Sequence, residues 1–373
     1  MNNSSQKKIR MFAPYVSERA IERVGLTLRS GYIGEGPVVA EFETAFENQL
    51  KVPYALGVTS GTTALHLALA VAGVGPNDEV ITTAQTMMAT SHAILAHYAK
   101  PVFADIQYLT GNINPGDIEH RITDKTKAIL PIHWAGYPCD LDEIHEVAAK
   151  YNLPVIEDAA HALGSTYKGQ TIGNISPITC FSFQAIKHIT TGDGGMMCFT
   201  QEEDFDKARR QRWYGIDRKK RAPSILGEPL WDVSEIGYKY HMNDIAASLG
   251  VEHLKDRETQ LRKRADIVHF YRQELKNQSG ITLFETSDDR QSAHWLFTMH
   301  VENRENFAKM MKAKGIEVSV VHLRIDTNTI FSPQQDDLNT LDTFNLSHIS
   351  LPLHNFLSDS DAAYIIESIR GGW

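Results

Sequence analysis

The chain has 373 residues, 37 Lys+Arg against 46 Asp+Glu, a net charge of −9, and 42% hydrophobic against 22% charged residues. That composition supports a large core, argues against wholesale disorder and against a dedicated nucleic-acid binder, and leaves room for an anionic small ligand in a local basic pocket. Cys139, Cys180 and Cys198 show no CxxC spacing and an odd count, which argues against a disulfide framework or a zinc site and fits a reducing cytosol. No apolar run approaches the roughly 18 residues that span a bilayer, and MNNSSQKKIRMF at the start has no hydrophobic signal region. A cytoplasmic protein with no membrane contact is expected.

In chain order, YALGVTS (54–60) reads as a strand and is followed by a helical run from Thr62 to Ala72. EVITTA (79–84) is a second strand, followed by a helical run ending near Tyr98. KPVFADI, KAILPIH and PVIEDAA are further strand runs, with a helical LDEIHEVAAKY between the last two. Strand–helix alternation with nearly continuous apolar strands predicts a mostly parallel sheet covered on both faces. TCFSFQ and GGMMCFT read as two more strands flanking a polar loop. The charged segment KARRQRWYGIDRKKRAP (207–223) interrupts the pattern, and a long helix is expected over roughly 241–276. The last hundred or so residues mix short strands (GIEVSVVHL, HISLPL) with two helical runs, which predicts a smaller α+β domain. The expected division is 1–250, a large α/β domain with an N-terminal helical segment, and 251–373.

Three stretches carry chemistry. In TSGTTALHLAL (59–69) a strand ends, a Ser-Gly-Thr-Thr turn follows and a helix begins. Backbone N–H groups at a helix N-terminus, with a glycine allowing close approach, suit a phosphate; an ordinary N-cap looks the same. In VIEDAAHALGS (155–165) an apolar strand ends at Glu157–Asp158, where α/β ligands bind, or where a carboxylate merely caps the next helix. In FSFQAIKHITTGDGGMM (181–197) Lys187 sits in a loop between two apolar runs. A lysine there can form a Schiff base if partly desolvated, or be a solvated hairpin lysine.

The three together, in that order and at these separations, resemble the fold-type-I pyridoxal-phosphate (PLP) enzymes, and more narrowly the DegT/DnrJ/EryC1/StrS nucleotide-sugar aminotransferases. The resemblance runs from SGYIGEGPVVAEFE (30–43) through PIHWAGYPCDLDEI (131–144) to GYKYHMNDIAASLG (237–250). It implies an aspartate-aminotransferase-like α/β fold: a large domain with a mostly parallel mixed sheet, plus a smaller C-terminal α+β domain. By the resemblance, Lys187 holds PLP as a Schiff base and Asp158 pairs with the pyridine nitrogen. His161 lies near the ring hydroxyl. The Gly61 and Thr62 amides and the Ser182 hydroxyl hold the phosphate.

Three positions depart from the family pattern. Lys239 in GYKYHM replaces the Asn that a neighbouring subunit places on the phosphate. Lysine reaches phosphate as a point charge, or is a solvated surface residue. Met87 replaces an aromatic stacked on the ring, offering a soft sulfur–π contact or a core side chain. Asp193 stands where Glu is usual. The implied reaction moves an amino group from L-glutamate to a nucleotide-linked deoxygenated keto sugar at C3 or C4, with Lys187 as both covalent anchor and general acid/base. His322 aligns with a histidine near the sugar or is a satisfied strand histidine. The run Arg209, Arg210, Arg212, Arg218, Lys219, Lys220 and Arg221, interleaved with Trp213 and Tyr214, supplies cations for a nucleotide diphosphate or is a solvated helix end and loop. A homodimer with shared sites is implied. No His/Cys cluster has metal-ligand spacing, so no metal is expected. Two alternatives stay open. One is a 3-dehydratase branch that uses histidine in place of the lysine, for which His188 is the adjacent candidate. The other is a cofactor sensor without catalysis.

Overall fold

The computed structural model describes residues 8–220 and 222–373, so Arg221 and the first seven residues lie outside it. The strands Lys100–Ala104, Glu79–Thr83 and Thr126–Ile129 form a parallel group with Glu79–Thr83 in the middle. Parallel bridges Ile129–Val155 and Ile132–Asp158 join it to a second group. That group runs Ile156–Asp158, Ile178–Ser182, Gly195–Phe199 and Tyr54–Val58. Gly195–Phe199 is antiparallel to both of its neighbours, and so runs against the rest of the sheet.

The pleat explains why these strands read as continuous apolar runs. Along Gly195–Phe199, Met196 and Cys198 enter one core, and Met197 and Phe199 enter the other. Side chains alternate across a strand, so burial on both faces requires an apolar residue at nearly every position. One face is covered by the helices Pro37–Leu50 and Leu141–Lys150 through Phe42, Phe46, Leu141 and Ile144. The other is covered by Gly61–Val71 and Met88–Leu95 through Leu65, Leu67, Leu69 and Ile94. Each fully buried side chain of this size contributes about 1.5–3 kcal/mol. The SGYIGEGP motif has a structural reason as well. Asp244 accepts from the backbone N–H of Gly36, Val38 and Val39, at 2.9, 3.2 and 3.0 Å. It thereby caps the Pro37–Leu50 helix, and a Cβ at position 36 would stand 2.6 Å from the Asp244 carboxylate.

The long helix runs Asp244–Leu275, with Asn243 capping its N-terminus. It serves two cores in turn. Ala247, Val251 and Leu254 pack under the large sheet, whereas Ile267, Val268, Tyr271 and Leu275 join a C-terminal core with Phe297, Met299, Ile349 and Ile365. That core is built on an antiparallel sheet of Ile281–Leu283, Phe297–Val301 and His348–Leu351. The N-terminal Ile9 belongs to it too: its N–H donates to Gly315 O and its carbonyl accepts from Glu317 N, both at 2.9 Å.

Two expectations for this region need correction. Three helices are present, Arg304–Ala313, Asn339–Ser347 and Asp359–Arg370, rather than two. GIEVSVVHL is not a strand; it makes single bridges at Ile316 to Ile9 and at Ser319 to Ser350, and then Val321 turns at φ 62°. A left-handed conformation at a β-branched residue ends any extended run. All three cysteines are buried and free. Among the described residues no helix is long and apolar enough to cross a membrane.

Candidate active site

The carboxyl ends of the parallel strands, where ligands bind in such sheets, surround a cavity of about 250 Å³. Ser60, Gly61 and Thr62 close one end of it, together with Ser182. Ser60 caps the Gly61–Val71 helix, its hydroxyl accepting from Thr63 N at 3.0 Å, while the Thr63 hydroxyl accepts from Ser60 N at 3.0 Å. The Gly61 and Thr62 amides come too early in the helix for an intrahelical acceptor and make no other bond among the described residues. Glycine is required at 61, because a Cβ there would stand 2.8 Å from Ser182 Cβ. Gly195 is required for the same junction, since its Cβ would meet Ser60 O at 2.5 Å. Two unpaired amides, a helix N-terminus and an adjacent hydroxyl make an anion site.

Asp158 lies deeper. Its strand is registered by Asp158 N donating to Pro131 O at 2.9 Å. Its carboxylate accepts from Thr90 Oγ1 at 2.9 Å and from Ala160 N at 3.1 Å. Burial pushes the carboxyl up from its ordinary value, while those two hydrogen bonds and the Lys187 charge pull the other way.

Lys187 faces the same cavity from the loop after Ile178–Ser182, where a turn is closed by Lys187 N donating to Gln184 O at 2.9 Å. Burial lowers its amine to about 7, against a partial counter-effect of Asp158. The neighbouring His188 points elsewhere: it is buried, its Nε2 donates to Ala293 O at 2.9 Å, and it is not part of the cavity wall.

An aromatic wall completes the site. His161 stacks on Trp295 with centroids 3.7 Å apart and planes 15° apart. His322 lies nearly parallel to His161 at 5.8 Å, and Trp134 stands edge-on to both. His161 Nδ1 and His322 Nε2 are buried without a hydrogen-bond partner among the described residues. Burial holds both rings neutral, His161 well below the usual histidine range and His322 at about 4. Met87 is half exposed at the cavity mouth, capping the Met88–Leu95 helix, and so is not a core side chain. Asp193 also lines the cavity. Trp295 has no counterpart in the sequence reading, because nothing in SAHWLF marks it, and Trp134 enters that reading only within the PIHWAG stretch, with no role of its own. Backbone contacts bring them together, with Trp295 N donating to Ala135 O at 2.9 Å.

The basic segment behaves differently. Arg212, expected to face a nucleotide, is instead buried and bonded to Glu35 at 2.6 Å, Glu43 at 2.7 Å and Gly57 O at 2.8 Å. Arg209 pairs with Asp206, Arg210 with Glu235 and Arg218 with Glu35. These charges are neutralised within the chain, a pairing that a count of basic residues does not reveal. Lys239 lies 4.2 Å from the Trp213 ring and 5.8 Å from that of Tyr214, and all three stand outside the cavity wall of their own chain. Among the described residues no group of three or more His, Cys, Asp or Glu is placed to hold a metal.

The residues present fit PLP. The unpaired Gly61 and Thr62 amides suit its phosphate, the buried Asp158 carboxylate a ring N–H, the orphaned His161 nitrogen a ring oxygen, and the Lys187 amine its aldehyde. A mixed sheet with one reversed strand and this residue set define a fold-type-I PLP enzyme. The model of the DegT/DnrJ/EryC1/StrS aminotransferase family matches residues 14–370. GDP-perosamine synthase of Escherichia coli O157:H7 is 33% identical over 369 residues, 98% of each chain. The structure of AtS13 from Actinomadura melliaura superimposes with a TM-score of 0.94 at 35% identity, covering 99% of this chain and 100% of that one. The PLP form of Spr1654 from Streptococcus pneumoniae gives 0.90 at 32% identity, covering 98% of each. The chain belongs to the DegT/DnrJ/EryC1/StrS aminotransferase family and is a PLP-dependent sugar aminotransferase.

Proposed function

We propose that the protein transfers an amino group from L-glutamate to a nucleotide-linked keto sugar, at C3 or C4, as a cytoplasmic homodimer with shared active sites. The observation that carries this reading is the Lys187 amine, held near 7, in one cavity with the Asp158 carboxylate and an unpaired helix N-terminus. PLP, when bound, supplies the electron sink that makes a substrate carbon acidic. Lys187 would hold the cofactor covalently, and its free amine would take a proton from that carbon and return it to an adjacent one. An amine poised near neutrality suits both roles. Asp158 accepts the ring N–H and keeps that nitrogen protonated. The amides of Gly61 and Thr62 and the Ser182 hydroxyl bind the phosphate. His161, neutral, bonds the ring oxygen. Met87, at the cavity mouth, would contact the ring, and His322 would meet the sugar. Trp213, Tyr214 and Lys239, turned away from their own cavity, serve the partner's site. The orientation of His188 toward Ala293 O favours transfer over the dehydratase alternative.

The test is incubation with glutamate and a panel of keto sugars linked to dTDP, UDP and GDP, with products identified by mass. An amino sugar is expected, and Lys187→Ala should lower its rate about a thousandfold or more. Deoxygenated sugar without amino sugar would establish the dehydratase instead. Cofactor binding with no turnover on any sugar would establish a sensor.

A further inference from the structure

We propose that Trp295 is a positioning residue for the proton transfer: its indole is the seat on which the free Lys187 amine rests between taking a proton and returning it. The proposal rests on the reading of Lys187 given above. Lys187 Nζ lies 3.7 Å from the Trp295 ring centroid and makes no hydrogen bond among the described residues. The indole N–H donates to Ile186 O at 3.0 Å, the carbonyl attached to the Lys187 amide. Trp295 therefore grips the lysine loop through its backbone and meets the lysine head through its ring.

The seat is rigid. Trp295 is fully buried, stacked on His161, and tied by its own N–H to Ala135 O. The buried Arg264 donates to Leu353 O at 3.1 Å and, more weakly, to the carbonyls of His294 and Trp295 at 3.4 Å. His294, just before the indole, takes a left-handed φ of 52°, which sets the angle at which the ring is presented.

The chemistry needs such a seat. A shuttling amine is neutral when its lone pair takes the proton from carbon and an ammonium until it gives that proton back, with no net change. In a dry cavity the ammonium is disfavoured. A carboxylate in contact would hold it charged, whereas an aromatic face attracts the cation through its quadrupole without accepting the proton. The titratable groups facing Lys187 are Asp158, His161, His322 and Asp193 in the cavity wall, with His188 adjacent in the chain.

The experiment measures the pH dependence of acylation at Lys187 in cofactor-free protein, by mass spectrometry of its peptide, in wild type, Trp295→Phe and Trp295→Leu. Trp295→Leu should lower the Lys187 midpoint by about half a pH unit, and Trp295→Phe should restore most of it. With glutamate deuterated at the reacting carbon, the Leu variant should show a larger isotope effect on kcat at unchanged KM. If the Leu variant fails to fold, replacing tryptophan with fluorinated tryptophans weakens the ring face and keeps its shape, and the midpoint should fall with each added fluorine. Unchanged midpoints across either series overturn the proposal. Borohydride reduction of PLP-loaded wild type separates the two readings. An adduct on Lys187 with no effect at Trp295 overturns the seat alone; no adduct on Lys187 overturns the role of the lysine and the seat with it.

Discussion

Burial acts on Asp158 and Lys187 in opposite senses, raising the carboxyl and lowering the amine, and each partly restrains the shift of the other. On the proposed reading a bound cofactor would relieve both, Asp158 pairing with its ring nitrogen and Lys187 with its aldehyde. Asp158→Asn should therefore weaken PLP binding about tenfold or more, the scale of one charge-assisted hydrogen bond, as measured by equilibrium dialysis. The lysine also gives the cofactor-free protein a pH signature. In the unfolded chain its pKa is about 10.4, and in the folded one about 7. Between those values the unfolded state holds the extra proton, so stability rises with pH across that window, and the penalty is complete below 7. Urea titrations from pH 7 to 10 should show a slope in wild type that is smaller in Lys187→Met. A steeper slope in the variant would contradict the assignment of a depressed amine.

At the level of elements, the site depends on how closely the Gly61–Val71 helix approaches the Ile178–Ser182 strand. Gly61→Ala inserts a methyl 2.8 Å from Ser182 Cβ, so the helix end has to retreat from the strand. Overpacking of this kind costs about 1–3 kcal/mol, and the displaced amides should also bind phosphate less well. The expected result is a lower melting temperature together with weaker PLP binding; a variant that keeps both would show that the close approach is dispensable. The SGTT turn was readable because a cap residue, a glycine and a helical period lie next to one another in the chain. GIEVSVVHL was misread because its local pattern is that of a strand, while its conformation is set by distant groups. Ser319 has a single bridge partner at Ser350, and the His322 carbonyl accepts from Gln85 Nε2 at 3.3 Å. These contacts, with the turn at Val321, direct His322 into the cavity.

At the level of the molecule, Tyr32, Ile33, Ile225, Leu226 and Ile236 are large apolar side chains left exposed on a single chain. We take them as support for the proposed homodimer, since a partner packed on them would remove apolar surface from water. The sharing of sites can be tested by complementation. Lys187→Ala and Lys239→Ala chains should each be impaired alone. When they are unfolded together and refolded as a mixture, hybrid dimers carry one site with both lysines, so about a quarter of wild-type activity should return. No recovery on mixing would place Lys239 outside the partner's phosphate site.

The sequence by itself determined the α/β class and the order of the large-sheet strands along the chain, and it singled out Gly61, Asp158 and Lys187, which line one cavity. Each of these is written in neighbouring residues, as a period, a cap or a strand end. Only the tertiary structure decided that Arg212 is neutralised by Glu35 and Glu43, that His188 turns away while Lys187 faces the cavity, and that Trp295 walls the site by stacking on His161, with Trp134 packed edge-on to His322. Those outcomes depend on contacts between residues more than a hundred positions apart. Charge pairing and ring stacking follow distance in space, and a linear pattern does not record it.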